Sequence, residues 1–462
     1  MVDCRRVPGS REGRSLTLPR GILLLFSLWV VLAGCGQRPL AAQAAPPPAS
    51  TTSAAAPPSA QPSTGQAYKL PPEKLAKAIA LSRIRNILDI AGSIWGIVFL
   101  WLLLALHGWS GLEAWAQHRS NRRWLQGLLF FAAFFLITTL AGLPLDLFGH
   151  TMERSYGISV QGWASWFGDA AKGLALSLVF GSLLLLLFHW IVRISPRRYW
   201  LCAWLITLPL MVLVVFVQPL VVDPLFNKFE PLAKTNPALV QQLERVTTRT
   251  GTDIPPDRMF LMKASEKTNG LNAYVTGIGA SKRIVVWDTT AGRIPDDEIL
   301  FIFGHESGHY VLHHIPKGLT ITAIALFFIY WACAGCAAGL IRRFGSRWGA
   351  PDLASRTGFV VLLFTISILS FVLEPVGNAV SRHFEHQADV YGQEAIHGIV
   401  ADPQSTAVAA FNDLGAAWLD DPNPSPFLEF WLYNHPSTQR RANFARRYDP
   451  WANGGHGRYF RN

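Results

Sequence analysis

The chain has little charge. Asp, Glu, Lys and Arg together make up 15% of its 462 residues, against about 25% in soluble domains. That shortage excludes a simple soluble globule, because long stretches offer water no polar face. Acidic residues are the scarcer sign, 30 against 41 Lys and Arg, leaving a net charge of +11. The excess sits mostly as arginines in short clusters between apolar runs, the pattern of cytoplasmic loops in membrane proteins. No basic patch is interleaved with stacking aromatics, which argues against a nucleic-acid partner. Cysteine is also rare, with five residues. Cys4 and Cys35 lie near the N-terminus, and Cys202, Cys333 and Cys336 lie inside apolar segments, so no disulfide framework is expected. The Cys333 and Cys336 spacing imitates a C-x-x-C motif, but no second pair is nearby and the run around it is hydrophobic. It reads as two small residues on a membrane helix.

What the chain has instead is apolar length. Six segments approach or exceed the roughly 20 residues that cross a bilayer. They run near Ile87–Leu106, Leu125–Phe148, Leu174–Ile194, Tyr199–Val222, Leu319–Ile341 and Thr357–Val376. Pro144, Pro209 and Pro375 lie within or at the ends of these spans, as membrane helices tolerate when neighbours satisfy the freed carbonyl. Ahead of them, residues 1–35 read as an export signal: Arg5, Arg6, Arg11, Arg14 and Arg20 precede the run Ile22 to Leu32. Leu32-Ala33-Gly34-Cys35 then resembles a bacterial lipobox. Residues 36–72 follow as an Ala-, Pro-, Ser- and Thr-rich tether that cannot bury a core.

Further domains follow from the spans. A four-span region covers 73–222, an extramembrane segment 223–317, a two-span region 318–377, and a C-terminal segment 378–462. In the extramembrane segment, Asn272 to Thr276 and Arg283 to Trp287 look like strands of a β-hairpin turning through Gly277 to Lys282.

The strongest chemical signal is Phe303-Gly304-His305-Glu306-Ser307-Gly308-His309. It follows Pro295-Asp296-Asp297-Glu298, proline and acids where a helix N-terminus favours them. Residues four apart share a helix face, so His305 and His309 can turn their imidazoles to one tetrahedral zinc. Glu306 is then placed to act as general base on a zinc-activated water. Gly304 and Gly308 suit close packing around a metal site. His313 and His314 extend the cluster without needing to be ligands.

A catalytic zinc with an open position takes three protein ligands. The third should come from Ser381-Arg382-His383-Phe384-Glu385-His386-Gln387-Ala388-Asp389, directly after the last span. Glu385 and Asp389 share a helical side, so Glu385 can be the ligand while Asp389 accepts a hydrogen bond from a ligand histidine. His383 and His386 remain chemical alternatives.

Four motifs occur together in order: Pro224-Leu225-Phe226-Asn227-Lys228-Phe229-Glu230-Pro231-Leu232; Asn272-Ala273-Tyr274; the His305–His309 motif with His313; and Ser381-Arg382-x-x-Glu385-x-x-Ala388-Asp389. With them the chain resembles the type I CAAX prenyl protease group of integral-membrane zinc metalloproteases, over most of its length after about Ile87. The resemblance implies Glu385 as third ligand to one zinc per chain and Asp389 as its companion. It implies Asn272 and Tyr274 on a substrate-binding edge strand, with Tyr274 also placed to stabilise the oxyanion. It also implies His435 as a group supporting the transition state, with Arg441 near it as a further substrate-binding residue. The eukaryotic members begin with a first span, face the cytosol and act on prenylated C-termini. Here an export signal and a tether uncharged from Ala41 to Gly65 stand in that place.

The expected fold is mainly α, a multi-spanning helical membrane protein enclosing a cavity, with a gluzincin-like zinc site and a small β-hairpin. The expected function is a membrane zinc metalloendopeptidase. Its partners are a peptide or protein substrate and membrane lipid, and nothing in the sequence sets an oligomeric state. A silent chaperone or scaffold of the same fold should have lost Glu306 or a ligand, and none is lost. A transporter should carry ionisable residues mid-span, and these spans are nearly free of them. Arg119, Arg122 and Arg123, then Arg193, Arg197 and Arg198, then Arg342, Arg343, Arg347 and Arg356 fall in alternate loops. With the export signal, they put the catalytic face in the periplasm of a bacterial inner membrane.

Overall fold

Apolar stretches far longer than a globular core needs dictate the architecture. The computed structural model describes residues 67–277 and 279–461. The export signal, the lipobox at Cys35 and the tether up to residue 66 lie outside the described residues. Six helices of 28 to 40 residues are long and apolar enough to cross a membrane. In chain order the helices are α1 (Pro72–Ala105), a shorter α2 (Gly108–Arg119), α3 (Arg123–Ser155), α4 (Trp163–Ile194) and α5 (Tyr199–Phe226). Outside the spans follow α6 (Pro237–Thr250) and α7 (Asp296–Val311). Two more spans are α8 (His314–Trp348) and α9 (Arg356–Ala395). The chain closes with α10 (Pro403–Trp418), α11 (Pro426–Leu432) and α12 (Thr438–Arg447).

Between 11 and 44% of each span's most apolar window is buried, so most of that apolar surface lies outside the protein core. Pro144, Pro209 and Pro375 lie inside α3, α5 and α9. One-turn π segments interrupt α4 at Ser177–Gly181 and α5 at Gln218–Val222, the local irregularity that lets a long helix bend.

The helices overrun the bounds drawn from hydropathy. α9 has 40 residues and is about 60 Å long at 1.5 Å per residue, twice a bilayer's hydrocarbon thickness. Its second half therefore projects as a rigid rod that carries Glu385 and Asp389. The connection between the expected spans ending at Phe148 and starting at Leu174 shrinks to 156–162, because helix persists at both ends. The tether expected to reach residue 72 also stops short of it. Tyr68 is fully buried, its hydroxyl donating to the carbonyl of Asp420, while the N–H of Ala67 donates to Asn443. An aromatic with a polar tip anchors where uncharged Ala and Pro could not.

The expected hairpin forms inside a larger sheet. β1 (Phe229–Pro231), β2 (Met259–Met262), β3 (Ala273–Thr276) and β4 (Arg283–Trp287) lie in the order β1-β2-β4-β3. β3 and β4 run antiparallel with Tyr274 opposite Val285, β2 and β4 run parallel, and β1 closes the far edge antiparallel to β2. β1 is three residues ending in proline and β2 lacks polar alternation, so neither carried a strand signal. One buried cluster joins Leu239, Leu243 and Val246 of α6, Leu261 and Val286 of the sheet, Ile299 to Phe303 of α7, and Ala410 and Phe411 of α10. α7 is the central helix of this layer, apolar nearly all round because it is surrounded. Asp296, Asp297 and Glu298 occupy its first turn.

Candidate metal centre

The centre is built where α7 crosses α9 with almost no side chain between them. A Cβ on Gly392 would stand 2.7 Å from the backbone nitrogen of His305, and one on Gly304 would stand 3.0 Å from the carbonyl oxygen of Gly392. That contact sets His305 and His309 against the projecting half of α9. Their Nε2 atoms are 3.2 Å apart, and carboxylate oxygens of Glu385 lie 3.3 Å from the first and 3.4 Å from the second. Zinc–nitrogen bonds of about 2.0–2.1 Å in a tetrahedron require ligand separations of about 3.3 Å. The triangle therefore fits a zinc ion in size as well as in donor chemistry. His305 and Glu385 are buried, and Glu385 Oε2 is ringed by nitrogens of His435, His305 and Arg441 at 3.1, 3.3 and 3.7 Å.

Each histidine is held from behind. His305 Nδ1 lies 2.9 Å from Asp389 Oδ1, and Arg441 grips both oxygens of Asp389 at 2.6 and 3.0 Å. The Arg441 guanidinium also lies 4.6 Å over the Phe411 ring. Arg441, expected beside the substrate, thus belongs behind the histidine. The reason is charge: a buried Asp389 needs a bidentate cation. On the other side, His309 Nδ1 lies 3.1 Å from His314 Nδ1, and His314 Nε2 lies 2.9 Å from Gln387 Oε1. The His314 ring stacks on Phe384 at 4.4 Å. His313, quoted with the motif, takes left-handed backbone (φ 59°) between α7 and α8, which swings His314 into this position.

The electrostatics follow from those neighbours. Burial opposes charge on His305, but the hydrogen bonds to Asp389 and Glu385 outweigh it and push the imidazole up to about 9. Burial and the adjacent His305 push His309 down to about 3. Burial raises Glu306 above the usual carboxylate range, which favours a group that must accept and return a proton.

Of the alternative ligands, His383 contacts Gln387 at 3.3 Å and His386 packs on Phe444 at 4.6 Å; neither joins the triangle. Glu306 faces the backbone N–H of Val275 in β3. The N–H of Trp287 donates to the carbonyl of Asn272, so the alternation of antiparallel pairing points the backbone of Ala273 and Val275 off the sheet edge. Ala273 is buried, leaving Val275 as the accessible outward residue. The backbone N–H and carbonyl of Asn272 are both engaged by Thr290. The Tyr274 ring lies on the opposite face of β3, packed with Met262, Val285 and Trp287, so it is not brought to the triangle. Side chains alternate along a strand, and Ala273 and Val275 hold the α7 side. His435 stands at the rim, half exposed, with Nε2 3.1 Å from Glu385. Arg382 fastens that loop through the carbonyls of Glu429 and Tyr433.

Six long apolar helices and a His-His-Glu donor set define an integral-membrane metalloprotease. Residues 56–228 match the CAAX prenyl protease N-terminal family, described as five membrane helices, and residues 233–449 match peptidase family M48. The chain is 37% identical to the uncharacterized metalloprotease YhfN of Bacillus subtilis, over 82% of this chain and 87% of that one. It is 26% identical to CAAX prenyl protease 1 of Saccharomyces cerevisiae, over 68 and 71%. The crystal structure of S. mikatae Ste24p superposes with a TM-score of 0.70 at 24% identity, covering 81% of this chain and 91% of that chain. The chain belongs to peptidase family M48, as a CAAX prenyl protease-like zinc metalloprotease of the membrane.

Proposed function

We propose that the chain hydrolyses peptide bonds at the cluster of His305, His309 and Glu385, which would hold one zinc ion per chain. The observation that carries this reading is the donor triangle of 3.2 to 3.4 Å with Glu306 beside it, facing the open edge of β3. Zinc, when bound, supplies a Lewis acid that polarises the scissile carbonyl and acidifies water. Glu306 takes the proton of the attacking water and returns it to the leaving amine. His435 donates from Nε2 to the carbonyl oxygen as that oxygen gains charge. Asp389, braced by Arg441, keeps the Nδ1 proton on His305 and leaves Nε2 for the metal.

The substrate lies extended along β3 and pairs with Val275, so recognition rests on peptide backbone more than on side-chain identity. That suits turnover of damaged membrane or exported proteins. Arginines of three short basic segments sit together at the span ends remote from the metal centre. This supports a bacterial inner-membrane protein whose catalytic face is periplasmic.

Mutation separates base from ligands. Glu306→Gln abolishes peptidase activity while zinc stays near one per chain. His305→Ala, His309→Ala and Glu385→Ala lose both, and His383→Ala and His386→Ala keep the metal. Full zinc in Glu385→Ala together with loss in His383→Ala or His386→Ala would overturn the ligand assignment. Undiminished activity in Glu306→Gln would remove the proposed base.

A further inference from the structure

At the opposite end of the spans, three arginines from separate segments converge on one cleft. The cleft encloses about 340 Å³ and is lined by Arg123, Arg193 and Arg356 together with Gln117, Gln126 and Ser355. Arg123 opens α3, Arg193 lies in the last turn of α4, and Arg356 opens α9. From Arg356 to Glu385 α9 rises roughly 43 Å, so this cleft is remote from the metal centre.

Its acidic lining is already engaged. Glu113 accepts from the backbone N–H groups of Arg356 and Thr357, from the Thr357 hydroxyl and from the Arg356 guanidinium, which caps α9. Asp352 accepts from the N–H of Ser355. His189 is bonded to the carbonyl of Ala354. Arg356 is buried, reaches Gln126 and the carbonyl of Arg123, and keeps its Nε without a partner. Arg123 and Arg193 are exposed, and neither has an ion-pair partner among the described residues. Two guanidinium groups without ion-pair partners therefore line the cleft beside the buried Arg356. Trp124 and Trp190, both more than half exposed, flank it on the same helix ends, at the depth where tryptophan marks the headgroup layer.

We propose that this cleft binds a phosphate group, and that the phosphate is the headgroup of an anionic phospholipid. Planar guanidinium forks match phosphate oxygens bidentately. Basic pockets between spans on the cytoplasmic side are suited to anionic headgroups. The occupant would tie α2, α3, α4 and α9 at one membrane face, while α9 carries Glu385 at the other.

The test uses the full-length protein purified in detergent. Native mass spectrometry compares retention of phosphatidylglycerol with phosphatidylcholine, and thermal unfolding is followed with each lipid and with inorganic phosphate alone. The wild type retains phosphatidylglycerol in preference. R123Q/R193Q binds it roughly 30-fold more weakly, about fivefold per arginine, and R193Q alone shows the single step. R197Q/R198Q removes the same charge outside the cleft and leaves binding unchanged. Neither Arg123 nor Arg193 makes a structural ion pair, so both variants should unfold like the wild type without lipid. Stabilisation by inorganic phosphate that R123Q/R193Q loses would assign the same site to a soluble phosphate. Equal binding of both lipids, full binding by R123Q/R193Q, or equal loss in R197Q/R198Q overturns the proposal.

Discussion

Replacing Gly392 by alanine should loosen the metal without touching a ligand. The added Cβ would meet His305 N at 2.7 Å, Cα at 2.9 Å and Cβ at 3.1 Å. The first two are backbone atoms of a buried helix and cannot rotate away. Restoring an ordinary contact of 3.4 Å moves α7 from α9 by about 0.7 Å, the difference between those distances. Metal sites tolerate deviations of about 0.2 Å, so Glu385 can no longer share an ion with both histidines. The overpacking itself costs about 1–3 kcal/mol of stability. Zinc affinity should fall on the order of 10- to 100-fold, as when groups that orient ligands are lost. Competition with a chromogenic chelator measures that affinity, and metal analysis gives zinc per chain. Gly377→Ala is the control on the same helix, since a Cβ there meets nothing within 4 Å. It should keep full zinc affinity and gain up to about 1 kcal/mol of helix propensity. Wild-type chelator resistance in Gly392→Ala would refute the argument that helix approach sets the site.

Glu298→Gln tests a pH effect of definite sign. Burial, then Asp413 and Asp297, push Glu298 up to about 7 from 4.5. The folded chain thus holds a proton that the unfolded chain releases, and stability falls as pH rises through that window, by up to about 3 kcal/mol. The glutamine variant should be the more stable one at pH 8 and no different near pH 4 in thermal denaturation; equal stability at pH 8 would count against it. Val275→Pro removes the outward N–H of β3, so kcat/KM for long peptides should drop about tenfold with zinc retained. Unchanged kinetics would rule out backbone pairing at β3. In a cysteine-free background, cysteine at exposed Ser425 should react with an impermeant maleimide in cells opened only at the outer membrane. Cysteine at exposed Ser346 should stay protected until the inner membrane is broken. The reverse pattern would invert the orientation.

The sequence by itself determined whatever depends on local spacing. Runs of apolar residues too long for a globular core announced the six spans, and short β-branched and aromatic runs on either side of a glycine-containing turn announced the β3–β4 hairpin. Two histidines four apart on one helix fixed two of the three donors, because helical geometry leaves them no other relation. Glu385 was legible as one carboxylate among competing histidines, and the competition is one of helix face: His383 meets Gln387 on α9 and His386 meets Phe444 of α12 instead.

Tertiary structure decided what depends on contacts between distant segments. Whether Tyr274 faced the site was a matter of strand parity, and parity shows only once β3 is registered on β4. Arg441 lies 52 residues beyond Asp389, and only the docking of α12 beneath α9 brings its guanidinium onto that buried carboxylate. His314 and Gln387 likewise meet across 73 residues. Tyr68 looked like the end of a tether because nothing near it in sequence could bury it; the surface it fills comes from α10 and α12. The third donor came within 3.4 Å of the other two because two glycines let α7 and α9 touch, a property of the helix pair that neither helix carries alone.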